Sequence, residues 1–175
     1  MKSAILILLV AGCAAAADQR TNPQVRYEPT PPDVVKAMFM LAKVGPDDLV
    51  ADLGCGDGRI VIEAVQRFGV RALCVDIDPR RIAEARRNAE AAGAAGRITF
   101  LNQDLFATDL RGVTVVMLFL SRDFNLKLRP KLARELAPGA RVVSHWHDMG
   151  DWPPSRTVRM NSDGRERAVY LWTMP

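Results

Sequence analysis

Only three cysteines occur among the 175 residues, which excludes a scaffold held together by disulfides. Histidine occurs twice, at His145 and His147. Two imidazoles beside Asp148 are too few to argue for a metal centre, and no metal is expected. No apolar run reaches the roughly 18 residues of a membrane-spanning helix. Neither sign of charge dominates: 24 Lys and Arg face 20 Asp and Glu, a net charge of +4. That excess is too small to argue for nucleic acid, and no nucleic-acid partner is expected; an acidic partner is permitted. There are no internal repeats, and the one low-complexity stretch is alanine-rich and N-terminal. What is present is 49% hydrophobic and 25% charged, the balance of a globular domain rather than of a disordered chain, a collagen or a coiled coil. The length suits one domain.

The N-terminus has its own pattern. Lys2 supplies a positive charge, Ala4 to Val10 is continuously apolar, and Ala11-Gly12-Cys13-Ala14 follows. A basic start, a short apolar core and small residues near a cut describe a secretory signal over residues 1–17. Val10-Ala11-Gly12-Cys13 resembles a bacterial lipobox, in which cleavage before Cys13 leaves a lipid-bearing N-terminus. Release after Ala15-Ala16-Ala17 is the second option, and a buried N-terminal helix the third. Residues 18–26 are polar, include Pro23 and read as a tether. A cell-envelope location, periplasmic or lipid-anchored, is expected where the signal is used, and a cytoplasmic one where it is not.

From Tyr27 onward strands and helices alternate. Pro31-Pro32-Asp33 opens a helix whose apolar residues Val34, Val35, Met38 and Leu41 have helical spacing; Gly45-Pro46 stops it. Short apolar runs at 49–53, 71–77, 98–101, 113–120 and 141–146 read as strands, the fourth apolar throughout and therefore central. Helical patterns at 60–68, 79–92 and 126–136 separate them. Residues 156–160 and 168–174 flank Asn161-Ser162-Asp163-Gly164, a turn sequence, and form a terminal antiparallel hairpin. Strands separated by helices imply a mostly parallel α/β sheet with helices on both faces, ligands binding beyond the carboxyl ends of the strands.

The first such end carries the strongest signal. Asp52-Leu53-Gly54-Cys55-Gly56-Asp57-Gly58-Arg59 lies between a strand and a helix. Gly54, Gly56 and Gly58 permit a sharp turn and close approach of a ligand, and the following helix presents free N–H groups. Asp76, 20 residues beyond Gly56, ends the second strand where a carboxylate accepts both ribose hydroxyls of a nucleotide-like cofactor. Asp104 follows the third strand, placed either to accept from an adenine amino group or to begin a turn. The spacing is G-x-G-x-G rather than the dinucleotide G-x-G-x-x-G. Asp52 and Asp57 bracket the loop; carboxylates there repel a diphosphate but suit a ligand bearing an ammonium and a sulfonium. S-adenosylmethionine carries both.

Asp52 to Arg59, with Asp76 and Asp104, resembles the class I S-adenosylmethionine-dependent methyltransferases. The segments Tyr27-Glu28-Pro29-Thr30-Pro31, Asp52 to Ile62, Leu128 to Leu132 and Pro138 to His145 are similar to compact archaeal protein-lysine methyltransferases and to mitochondrial enzymes that modify a lysine of an ATP synthase subunit. The resemblance covers about Tyr27 to Met174. It implies a Rossmann-like seven-stranded sheet in a domain spanning 27–175, S-adenosylmethionine as cofactor, and methyl transfer to lysine side chains of proteins. Those relatives are intracellular, unlike a chain with an export signal, and Asp104 carries over from the wider superfamily only.

Methyl transfer asks for alignment of the nucleophile and exclusion of water, and a lysine must first lose a proton. Residues expected to line the acceptor site are Tyr27, Glu28, Phe119, Leu120 and His145. Tyr27 orients an amine or packs over the cofactor; Glu28 holds a lysine cation; Phe119 lines the site or continues the core; His145 is a cleft residue or a satisfied strand-end polar group. Where adenine and glutamine N-methyltransferases carry Asn/Asp-Pro-Pro-Tyr, this chain has Leu118-Phe119-Leu120-Ser121, with no amide or carboxylate for a planar acceptor. Cys55 and Cys74 fall on adjacent strands and are expected as buried free thiols, an oxidising compartment being able to join them. Arg80, Arg81, Arg86 and Arg87 form a basic helix face, either solvated or meeting an acidic substrate or anionic headgroups. Three functions compete: a protein-lysine methyltransferase, a methyltransferase of an envelope small molecule, and an inactive methyltransferase-fold binding lipoprotein. The first is favoured because no inserted lid encloses a small substrate.

Overall fold

The computed structural model describes residues 27–175. The expected signal over 1–17, the lipid site at Cys13 and the tether over 18–26 lie outside the described residues. Proline and aspartate start the helices. Helix α1 (Pro32–Ala42) begins behind Pro31, and α3 (Pro79–Ala91) has Pro79 in its first turn with the Asp78 carboxylate accepting from Arg80 N–H at 2.9 Å. Helix α2 (Arg59–Phe68) starts directly from Gly58. Strands β1 (Leu49–Leu53), β2 (Arg71–Asp76) and β3 (Ile98–Asn102) alternate with these helices. The β3–β4 connection contains no helix; β4 (Val115–Leu118), α4 (Arg122–Glu135), β5 (Arg141–His145), β6 (Arg156–Ser162) and β7 (Arg165–Thr173) complete the chain.

The seven strands form one sheet in the order β3-β2-β1-β4-β5-β7-β6. β1 to β5 are parallel; β7 runs antiparallel to both β5 and β6. Helices α1, α2 and α3 cover one face, packing Phe39, Val61 and Ala85 against Val50, Cys74, Met117 and Val143. The other face holds α4, with Leu128 and Leu132 on Val116, Leu118 and Trp172, and is completed by the non-helical residues Leu110, Val113 and Met149. β4 sits mid-sheet with all four side chains fully buried. Each contributes about 1.5–3 kcal/mol by leaving water, which fixes this strand as the keel of the domain.

Several boundaries differ from the sequence expectation. β4 spans 115–118 rather than 113–120: Val113 N–H closes a turn on Leu110 C=O at 3.0 Å before the strand, and Phe119 and Leu120 run past the carboxyl end of the sheet. α4 starts at Arg122 rather than Leu126, its first turn capped by Ser121 Oγ on Phe124 N–H and carrying Asp123. The hairpin strands reach 162 and 165, so the turn is Asp163-Gly164 alone, with φ of 50° and 72°, the left-handed pair a two-residue hairpin needs. β5 ends at His145, and Trp146 leaves the strand.

Candidate functional site

β1 and β4 are neighbours, while the chain passes from β1 outward to β2 and β3, so the sheet's switch point lies between β1 and β4. A cleft of about 820 Å³ opens there, lined by the loop after β1, the ends of β2 and β3, Phe119 and Leu120 after β4, and Tyr27 to Thr30. This volume suits a nucleoside-sized ligand. Among the expected site residues, Tyr27, Glu28, Asp52, Gly54, Gly56, Asp76, Asp104 and Phe119 all line it.

The loop after β1 is tied to β2. Gly54 and Cys55 N–H both donate to Val75 C=O, at 2.8 and 3.0 Å, and Gly56 N–H donates to Asp76 Oδ2 at 3.0 Å. Gly56 has φ of +54°, and a Cβ there would stand 2.5 Å from the Tyr27 ring, so no side chain fits. Gly58 lies below the cleft as the residue before α2; its φ is +80° and a Cβ would meet Ala85 at 2.9 Å, so its smallness lets α2 and α3 approach. Gly54 also has positive φ. Cys55 and Cys74 are joined by a disulfide rather than standing as two thiols. Their register explains it: Asp52 pairs with Cys74, and the loop then folds Cys55 back over β2.

Carboxylates dominate the floor. Asp76 accepts Gly56 and Asp78 N–H, one on each oxygen, and retains lone pairs for ribose hydroxyls. Asp104 Oδ1 accepts Phe106 N–H at 2.9 Å, so this residue both begins a turn and faces the cleft. Asp57 binds Arg59 through both oxygens; burial raises its pKa, but the guanidinium outweighs this and holds it below the usual carboxylate range. Asp52 is 3% exposed and makes no hydrogen bond to a described residue; burial, then Asp76 and Asp57, push its pKa up to about 8. A buried, unpartnered carboxyl beside two further carboxylates is stabilised by a cationic ligand, which fits S-adenosylmethionine and not a diphosphate.

The acceptor side is less uniform. The Tyr27 ring lies on Gly56 under the Arg81 guanidinium, 3.7 Å from its centroid, and burial followed by Asp57 raises its hydroxyl pKa. Half-exposed Glu28 lies 3.7 Å from Arg167. Phe119 stands on the cleft wall, not in the core. His145 does not line the cleft. It is fully buried behind Phe119, their rings 4.0 Å apart, with Thr30 Oγ1 3.5 Å from Nδ1 and Nε2 without a partner among the described residues. The reason is strand alternation: Ser144 points to the α4 face, where Asn125 reaches it, and His145 to the α1 face. Burial, then Arg167, lower its pKa to about 4. His147 passes its carbonyl to Asn125, and Asp148 pairs with Arg122.

Thr30, Arg59, Arg80, Arg81, Phe106 and Phe124 also line the cleft. Arg59 donates to Thr30 C=O at 3.2 Å, pinning the N-terminal strap across the loop. Phe106 and Phe124 pair at 5.8 Å across the rim. Their sequence signal is uneven: Thr30 belongs to the Tyr27 to Pro31 segment, Arg59 directly follows the glycines, and Arg80 and Arg81 lie on the basic helix face, whereas Phe106 and Phe124 belong to no motif.

This strand order, with a glycine turn after β1 and carboxylates closing β2 and β3, defines a class I S-adenosylmethionine-dependent methyltransferase. The chain belongs to the ANTKMT methyltransferase domain family, whose model matches residues 52–156. It is 43% identical over 153 residues, 87% of its length and 95% of the relative's, to a protein-lysine N-methyltransferase of Saccharolobus islandicus. It is 35% identical over 141 residues to the mouse adenine nucleotide translocase lysine N-methyltransferase, covering 80% of this chain and 61% of that one. A crystal structure described as an RNA methyltransferase from Salinibacter ruber with S-adenosyl-L-homocysteine superposes with a TM-score of 0.80 at 47% identity, covering 85% of this chain and 94% of that one. S-adenosylmethionine is the cofactor of this enzyme.

Proposed function

We propose that the methyl acceptor is a lysine side chain of a protein. The observation that carries this is the acceptor wall: beside the donor cradle, Phe119 and Leu120 offer apolar surface and Glu28 the rim carboxylate. Apolar walls suit an aliphatic stem. Glu28, held toward Arg167, attracts an ammonium, and desolvation beside Phe119 lowers the lysine pKa so that the proton can leave to water. The bound cofactor supplies the activated methyl group; Asp76, Asp104 and the glycine turn orient its nucleoside half. The lysine-methyltransferase name of the archaeal relative, matched over 95% of its length, supports the same reading.

The Salinibacter relative's description favours an RNA acceptor as the second reading. Incubation with a labelled methyl donor, cell-envelope protein, lipid extract and RNA separates them. Acid-stable label in protein, recovered as methyl-lysine, is expected. Label in RNA establishes the second reading, label in lipid a small-molecule acceptor, and bound cofactor without label a binding module.

We further infer that the chain is exported, on the pattern of residues 1–17; the Cys55–Cys74 bond supports an oxidising compartment. A fusion to a reporter active only outside the cytosol tests export. Cys13→Ala tests lipid attachment, which would anchor the domain through the tether over 18–26.

A further inference from the structure

Trp146 stands in a conformation that the fold does not need. Its φ is 71°, in the left-handed region that bulky side chains avoid. His147 N–H donates to His145 C=O at 2.9 Å across it, closing a one-residue turn of the rare positive-φ kind. Trp146 N–H donates to Ala168 C=O at 2.7 Å, so the turn is pinned to β7 as well. The side chain is nevertheless 46% exposed. Single exposed apolar residues are ordinary, and a strained residue persists only where its surroundings hold it; the two together oppose folding stability twice. Glycine would satisfy the same turn without strain and without exposing an indole.

Its location gives the exposed ring a use. Trp146 is at the carboxyl edge of the sheet, immediately after His145, whose ring stacks on cleft-lining Phe119. A large aromatic held by a doubly hydrogen-bonded turn loses little freedom when covered, which is the character of an interface anchor. We propose that Trp146 docks the polypeptide flanking the acceptor lysine. The proposal rests on the protein-lysine reading and deepens it: Phe119 and Glu28 receive the target side chain, while Trp146 takes an apolar neighbour along the substrate chain. It is a specificity residue, remote from the reacting atoms.

The test compares two acceptors: Nα-acetyl-lysine methylamide, and a nine-residue peptide library with central lysine and randomised flanks. The parent enzyme is expected to show a kcat/KM at least about tenfold higher for the library, an advantage that an anchor residue supplies. Trp146→Gly and Trp146→Asn, both tolerant of positive φ, should lose most of that advantage through KM. They should keep the rate on the small acceptor and the affinity for S-adenosyl-L-homocysteine, and melt no lower than the parent. Trp146→Phe should retain part of the advantage. An unchanged library preference in the glycine and asparagine variants overturns the proposal alone. So does a fall in melting temperature of more than about 5 °C, which would place Trp146 in the packing of the fold. If the parent labels neither acceptor, the lysine reading itself fails, and the docking role with it.

Discussion

Replacing Asp52 by Asn removes one proton from the folding equilibrium and tests the electrostatics of the donor cradle. In the folded chain the Asp52 carboxyl titrates near pH 8, pushed there by burial and by Asp76 and Asp57. In the unfolded chain an aspartate titrates near about 3.9. Between these values the folded state holds a proton that the unfolded state has released, so this group's contribution to stability falls as pH rises. The slope for one proton is about 1.4 kcal/mol per pH unit. By pH 7 the Asp52 contribution has fallen by about 4 kcal/mol relative to pH 4, a loss Asp52→Asn does not suffer. The variant should match the parent near pH 4 and melt about 10 °C higher at pH 7, read by urea and thermal denaturation across the range. His145 acts in the opposite sense. Its folded pKa, lowered to about 4 by burial and Arg167, leaves it neutral where the unfolded chain binds a proton, so its contribution rises from pH 4 to about 6.5. The two slopes cancel in the parent below about 6.5, and the variant should show the rising one unmasked. Donor-side binding gives a second readout: S-adenosyl-L-homocysteine carries an ammonium, so its affinity for the parent should climb by up to about tenfold per pH unit between 5 and 7 and stay flat in Asp52→Asn. Parallel stability curves for the two proteins would refute this assignment.

Asp76→Ala removes the acceptor of Gly56 and Asp78 N–H as well as the ribose carboxylate; calorimetry should show donor affinity falling at least about a hundredfold. Gly56→Ala drives a Cβ into the Tyr27 ring and strains a left-handed residue, so it should lower the melting temperature and weaken S-adenosyl-L-homocysteine binding. The Cys55–Cys74 bridge spans 19 residues, and its loss costs about 3 kcal/mol in the chain-entropy picture; reductant should lower the parent's melting temperature and leave Cys55→Ser unmoved. Glu28→Gln should raise the KM for a lysine acceptor while sparing cofactor affinity, since Glu28 lies on the rim and outside the donor cradle.

The cofactor half was legible in advance because its constraints are short-ranged. Positive φ at Gly54 and Gly56, a strand that stops at Asp76 and a turn begun by Asp104 are each dictated within a few residues. The acceptor half was less so. Phe119 and His145 stood at the ends of neighbouring strands, and nothing local says that one ring would cover the other and remove the histidine from the cleft. The cysteine pairing was visible as proximity, but the bond depends on the loop folding Cys55 back across β2.

The amino-acid order by itself determined the alternation of elements, the glycine turn, the hairpin and the acidic character of the cradle, because hydrophobic period, proline, glycine and charge act along the chain. Only the tertiary structure decided which side chains share the cleft. Thr30 meets His145 across a sequence separation of 115, Arg81 reaches from α3 onto the Tyr27 ring, and Trp146 is held out by β7. Such contacts are set by how finished elements cross, where side-chain direction and packing volume, not local preference, select the neighbour.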